Sequence, residues 1–174
     1  KILKKISFLC FAMLNQINLH FKLRIIGNIL DNLRMILLKV SGAQIGSNSF
    51  VHPKVMILNP ENLKIGNNSA IGSNSEIFNY DKFSIGDNVD IGTQFYINTN
   101  NHKIDNPKKH LAYQGTVSKK IEIGSDIWIG ARVTVLSGVK ISDRTVIGAG
   151  AVVTKETESG NIYAGVPAKK IKKL

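Results

Sequence analysis

Residues 123–153 read IGSDIWIGARVTVLSGVKISDRTVIGAGAVV, and Ile123, Ile129, Val135, Ile141, Ile147 and Val153 fall six residues apart without a miss. A period of six matches neither the helical 3.6 nor the bare strand repeat of 2. It is three strand repeats, so every marked side chain faces the same way and the chain turns at fixed intervals, the pattern of a β-solenoid. The metre continues upstream at Ile45, Val51, Ile57, at Ile65, Ile71, Ile77, and at Ile85, Ile91, Ile97. Two-residue slips at Leu63-Lys64 and Phe83-Ser84 separate those triplets, and Ile121-Glu122 fills the same slot before Ile123. All fifteen positions are Ile or Val, although those types supply only 36 of the 174 residues, so chance does not account for the pattern.

The residue after each aliphatic rung is often glycine (Gly46, Gly66, Gly72, Gly86, Gly92, Gly124, Gly130, Gly148), and Asn or Asp follows at Asn48, Asn67, Asn68, Asn74, Asp87 and Asn88. These types accept positive φ and sharp corners, so each hexapeptide is expected to be a short strand plus a bend. Two positions before the rung, Val55, Ser69, Ser75, Val89, Val133, Thr145 and Ala151 are small or β-branched, as a narrow interior demands. Three units close a triangular coil. At about 4.8 Å per coil, about five coils make a prism on the order of 24 Å tall. Periodicity does not give handedness, and the general preference for parallel crossovers is right-handed.

Residues 1–42 are expected to form a separate helical segment. Ile2, Ile6, Leu9, Met13, Ile17 and Phe21 recur at three- and four-residue steps, as do Ile26, Ile29, Leu33, Ile36 and Val40, with Gly27-Asn28 as the expected break. This apolar face needs a cover: the open end of the solenoid, a neighbouring subunit, or a membrane surface contacted peripherally. The uncharged run 6–21 contains Asn15, Gln16, Asn18 and His20 and falls short of the roughly 20 apolar residues of a span. No small-x-small cleavage site follows the opening Lys-rich apolar stretch. The single cysteine, Cys10, excludes an intrachain disulfide and fits a reducing, cytoplasmic compartment.

The net charge of +11 sits at the two ends. Residues 1–42 carry net +6, residues 43–154 only +2, and the last twenty +3. A nearly neutral body argues against nucleic acid, while basic ends suit membrane headgroups or a phosphate-bearing cofactor. The metre breaks once, after Ile97, and no rung returns until Ile121. Residues 103–120 are therefore expected to be an external, functional loop on a β-helix domain spanning 43–160, followed by a basic tail, 161–174.

The runs IGSDIWIGARVTVLSGVKI, IGAGAVVTKE and YAGVPAKKIKK, with the loop in its place, resemble the hexapeptide-repeat acyltransferases. The resemblance covers about residues 43–174. It implies a left-handed parallel β-helix that assembles as a homotrimer with active sites between subunits. Within that family the chain looks most like acetyl-CoA-dependent O-acetyltransferases that modify sugars of capsules, O-antigens or related polysaccharides. The family's catalytic base is a histidine closing the coil before the external loop; the matching residue is His102. Its chemistry suits the task, because a group titrating near neutrality takes the proton of an attacking hydroxyl. Asp81, Asp90 and Asp105 are candidates to orient it. His20, His52 and His110 read as a helix residue, a corner residue and a loop residue.

The same resemblance implies a backbone N–H donor at Ala131 for the developing oxyanion and one at Ala149 for the pantetheine arm, beside Gly130 and Gly148. It also implies Trp128 as a wall of the cofactor tunnel. Lys155, Lys169 and, more weakly, Lys172 match positions that contact the cofactor phosphates. Asn79, Tyr80 and Asn98 offer amide and hydroxyl groups to a carbohydrate acceptor. No metal is expected: a zinc hydratase on this fold needs an H-x-x-x-x-H pair, and His102 and His110 are eight apart. The rival readings are N-acetylation of an amino sugar or a xenobiotic on the same fold and, more remotely, a non-enzymatic scaffold.

Overall fold

The computed structural model describes residues 4–7 and 24–174, and the side chains of residues 4–7 and 30–174. The chain winds as a left-handed parallel β-helix with three faces. The first face stacks Gln44–Ile45, Leu63–Ile65, Phe83–Ile85, Ile121–Ile123 and Lys140–Ile141. The second stacks Phe50–Val51, Ala70–Ile71, Val89–Ile91, Ile127–Ile129, Val146–Ile147 and Asn161–Ala164. The third stacks Met56–Ile57, Glu76–Phe78, Tyr96–Asn98, Thr134–Val135 and Val152–Val153.

The predicted rungs pair in register: Ile65 on Ile85, Ile85 on Ile123, Ile91 on Ile129, and Ile97 on Val135. Every rung from Val51 to Val153 is 3% exposed or less, and only Ile45, in the end coil, is half-buried. The inner position two residues earlier is also buried, save Ser49 in the end coil, but it is not uniformly small. Phe83 and Phe95 fill it, with ring centroids 6.4 Å apart. The interior thus takes a large ring where neighbouring coils leave room.

The corners use glycine for a different reason than expected. Positive φ falls on Asn48, Lys54, Asn68, Asn74, Asn88, Gln94, Asp126, Arg132 and Arg144, not on the glycine that follows each rung. That glycine is there for space: a Cβ on Gly72 would lie 2.5 Å from the carbonyl carbon of Gly92 in the next coil. Asn67 and Asp87 also do not take positive φ; their side-chain oxygens accept backbone N–H groups from the preceding coil, Ser47 at 2.9 Å and Asn67 at 2.6 Å. Ser125 and Asp143 continue that ladder, accepting from Asp87 and Ser125.

At the N-terminal end a helix, Arg24–Val40, runs without interruption through Gly27-Asn28, so the expected break is absent. Its inward face is also not the expected one. Leu38 is buried in the core, Met35 and Leu37 pack against it, and the Asp31–Arg34 ion pair is buried on the same side. Leu33, Ile36 and Val40, the apolar stripe read from the sequence, are exposed. A buried charge pair can face inward because each partner offsets the other's charge, which periodicity of apolar residues does not register. Ser7 and Ser41 both donate to the Leu37 carbonyl, at 2.7 and 2.8 Å, tying residues 4–7 to the helix end. The remaining expectations for 8–23, including Cys10 and His20, lie outside the described residues.

The C-terminal segment does not leave the prism as a tail. Asn161–Ala164 adds a sixth strand to the second face, pairing parallel with Val146–Ile147. Lys169–Lys173 then folds back antiparallel to it as the edge strand. Lys170 reaches Glu158 at 2.7 Å. That contact, first by hydrogen bond and then by charge, lowers the Glu158 pKa and raises that of Lys170.

Gly72→Ala should cost about 1–3 kcal/mol in urea unfolding, because the added methyl meets backbone and not a mobile side chain. For the Glu158–Lys170 contact, a carboxylate with a lowered folded pKa contributes above its unfolded value and loses that contribution as pH falls through the folded one. Protection factors of the Lys169–Lys173 amides, exchange rates corrected for the intrinsic rate at each pH, should therefore fall as pH drops below the ordinary carboxylate value of 4.5, the effect being small because the pair is exposed.

Candidate functional site

The external segment leaves the prism at the edge between the third and first faces. Thr99 is fully buried there, its carbonyl accepting from the Lys119 N–H at 2.8 Å and from the Ser137 hydroxyl at 2.7 Å. Asn100–His102 and Thr116–Ser118 form an antiparallel hairpin on this foot, with His102 opposite Thr116. The Asn98 side chain accepts from Asn100 N–H at 2.9 Å and fixes the direction in which the hairpin departs. His102 thus stands on a paired strand near the prism, and it is exposed. Beyond it the loop carries a short 3₁₀ turn, Leu111–Tyr113, capped by His110 Nδ1, which accepts from Ala112 N–H at 3.3 Å.

The three candidate orienting carboxylates fall apart. Asp81 sits at the same edge, one coil earlier; its carboxylate accepts from Lys82 N–H and its own N–H donates to Thr99 Oγ1. Asp90 lies on the second face, between Ala70 and Trp128, and Asp105 is exposed in the loop. Among the described residues no hydrogen bond joins any of them to His102. His52 packs edge-on to Phe50 at a centroid distance of 5.0 Å, away from this edge.

A different edge, between the second and third faces, holds the two expected backbone donors. At the edge between the first and second faces, the equivalent N–H groups are taken up by Asn67, Asp87, Ser125 and Asp143. Between the second and third, the stacked residues are Ser73, Thr93, Ala131 and Ala149, and alanine supplies no acceptor. Among the described residues the N–H groups of all four, Ser73, Thr93, Ala131 and Ala149, donate to nothing, so the free donors run along this edge and the two alanines are its last members. Gly130 and Gly148 let the coils close on each other here: a Cβ on Gly130 would lie 2.6 Å from Ala149 N. Trp128 stands outward on the adjoining second face, 60% exposed, in register between Asp90 and Val146.

The remaining candidates divide. Asn79 is 0% exposed, and its amide is spent on the corner: it accepts from Asn59 N–H at 3.1 Å and donates to the Asn59 carbonyl at 2.6 Å. It is a structural residue and cannot also serve an acceptor. Tyr80, half exposed, and Asn98 remain at the His102 edge. Lys155 and Lys169 are both exposed, Lys155 beyond the last third-face strand and Lys169 on the edge strand. Sequence reading missed Gln94 and Arg132, whose side chains bond at 2.9 Å beside Ala131. Both fall three residues after a rung with positive φ, a signal visible only once that column is known to turn outward.

Among the described residues, no group of three His, Cys, Asp or Glu side chains could hold a metal ion. Nor is any helix there long and apolar enough to cross a membrane.

The bacterial transferase hexapeptide family (six repeats) matches residues 120–155, and the hexapeptide repeat of succinyl-transferase matches residues 62–98. Galactoside O-acetyltransferase of Escherichia coli (strain K12) is 44% identical over 54 residues, 31% of this chain and 27% of that protein. A chloramphenicol acetyltransferase of Klebsiella aerogenes is 51% identical over 51 residues, 29% of this chain and 24% of that protein. The matched stretch thus spans about a quarter of the length of these curated relatives. A hexapeptide-repeat-containing acetyltransferase of Vibrio cholerae, complexed with acetyl-CoA, superposes with a TM-score of 0.82 at 25% identity, covering 99% of this chain and 87% of that one. Repeat, coil geometry and whole-chain superposition agree: the chain shares the hexapeptide-repeat fold of these transferases, and residues 62–98 and 120–155 carry their repeat.

Proposed function

We propose that the protein is an acetyl-CoA-dependent O-acetyltransferase that modifies a sugar hydroxyl, with His102 as general base. The observation that supports this reading is the column of free backbone N–H groups between the second and third faces, Ala131 and Ala149 among them, where the neighbouring edge supplies an acceptor at the equivalent position. A free N–H at a fixed edge suits a thioester oxygen that gains negative charge, and needs no reorganisation when it does. The similarity to an acetyltransferase solved with acetyl-CoA supports the donor, and the similarity to galactoside O-acetyltransferase supports the acceptor class.

His102 and Ala131 occupy different edges, separated by the third face, roughly 15 Å for about five extended residues. One chain therefore does not bring both to one acyl group. A second copy, offering its Ala131 edge to this chain's hairpin, completes the site, and a closed homotrimer with three such clefts meets that requirement. In each cleft the sugar oxygen attacks the thioester carbonyl carbon while His102 takes its proton. The oxyanion rests on Ala131 N–H. Collapse breaks the carbon–sulfur bond, and the imidazolium returns the proton to the departing thiolate. No covalent acyl-enzyme forms. Trp128 walls the channel, Lys155 and Lys169 meet cofactor phosphates, and Tyr80 and Asn98 meet the acceptor. A capsule, O-antigen or related surface polysaccharide precursor is the acceptor context we favour, with catalysis in the cytoplasm, peripheral to the membrane through residues 1–40.

The second reading, an antibiotic hydroxyl as acceptor, is favoured by the chloramphenicol acetyltransferase match. Thiol release from acetyl-CoA with a panel of sugars, amino sugars and chloramphenicol separates the two. His102→Ala should lower kcat by about 10²–10⁴-fold with the preferred acceptor while leaving the melting temperature unchanged, because the residue is exposed. Turnover at the native rate in that variant would remove the proposed base.

A further inference from the structure

We infer that the acceptor is an anionic sugar, carrying a carboxylate or a phosphate, and that the lysines around the foot of the His102 hairpin receive its charge. This rests on the reading of His102 as the base. Residues 43–154 carry net +2, yet the loop 103–120 alone holds five lysines against Asp105, net +4. The coils without the loop are thus net −2, and the positive charge of the body is confined to the segment that carries the candidate base.

The hairpin register concentrates it further. Lys103 follows His102 directly, its N–H donating to the Gly115 carbonyl at 3.0 Å. Lys119 is tied to Thr99 at 2.8 Å, and the Lys82 carbonyl accepts from Ile121 N–H at 3.0 Å, so both residues stand at the same foot. Among the described residues, Lys82, Lys103 and Lys119 at the foot, and Lys108 and Lys109 further out on the loop, have no carboxylate within ion-pair distance; of the loop lysines, Lys120 is neutralised by Glu122 at 3.0 Å. Two lysines elsewhere on the prism, Lys170 and Lys140, pair with Glu158 and Glu156, while Lys54 and Lys64, among the described residues, stand unpaired but singly on the coils. The foot gathers three such lysines, Lys82, Lys103 and Lys119, beside the imidazole proposed to take a proton from the acceptor. A neutral sugar, read by amides, hydroxyls and ring faces, gives these three ammonium groups nothing to pair with. A carboxylate or phosphate pairs with them, and their collective field raises its local concentration.

The test uses the full chain and matched acceptors: a methyl glycoside, the corresponding glycuronide and the corresponding sugar 1-phosphate, in gluco, galacto and 2-acetamido frames. Initial rates are measured at low and high NaCl. The anionic members should exceed their neutral counterpart by about tenfold or more in kcat/KM at low salt, with the preference shrinking as salt screens it. Preference for the glycuronide alone identifies a uronic acid, and preference for the phosphate alone a sugar phosphate. The double variant Lys103→Gln/Lys119→Gln should lose most of that preference, while calorimetric affinity for CoA stays within about twofold, since an electrostatic loss follows the ligand those charges serve. Equal rates for neutral and anionic sugars would overturn the inference and leave the O-acetyltransferase reading standing. So would a double variant that loses CoA affinity but keeps the preference, which would assign the lysines to the cofactor. Transfer to no sugar at all would overturn both.

Discussion

Everything in this molecule depends on parallel coils lying one strand spacing apart, about 4.8 Å. At that distance backbone meets backbone at the glycine corners flanking the second face, and a side chain there collides with the next coil. Gly72, Gly92 and Gly130 are residues that permit it: a Cβ on any of them would come within 2.8 Å of main-chain atoms of the next coil. The close approach does two further things. It stacks Ile and Val into continuous columns, and it makes every corner repeat the chemistry of the corner before it.

That repetition explains how a structural scaffold supplies the proposed site without a specialised domain. Between the first and second faces each corner N–H is answered by the side chain of the next coil, through Asn67, Asp87, Ser125 and Asp143. At the next edge the same backbone position is held by Ser73, Thr93, Ala131 and Ala149, and among the described residues all four donors stay free. Removing an acceptor costs the fold little at a partly exposed corner and leaves a rigid, preorganised N–H. The hairpin at the third edge is the complementary device. It departs from the buried Thr99 and is fixed by backbone pairing, so its histidine is held on a strand and not on a loose tip.

Both ends of the prism are finished by elements that also use charge. The helix Arg24–Val40 turns Leu38 and the Asp31–Arg34 pair inward over the first coil. At the other end, Lys169–Lys173 forms an edge strand rich in lysine, which resists pairing with another sheet edge through like-charge repulsion. The Lys170–Glu158 contact holds that strand against the last coil without making it attractive to a second copy.

The solenoid, the columns from Val51 to Val153, the single interruption after Ile97 and the position of His102 at its foot are all legible in the sequence, because a strict six-residue metre is a local property that no distant contact overrides. Other features were decided only in three dimensions. Asn79 looked free to read a sugar, but stacking put Asn59 directly beside it, and its amide closes the corner instead. Asn161–Ala164 lacks the aliphatic rung, with Tyr163 in the rung's place, so its membership in the second face follows from pairing and not from pattern. The inward face of the N-terminal helix is set with the Asp31–Arg34 pair, which an apolar periodicity does not detect. The separation of His102 from Ala131 is likewise a matter of which edge each occupies: the metre counts residues along the chain, and only the closing of the triangle decides which of them share a side.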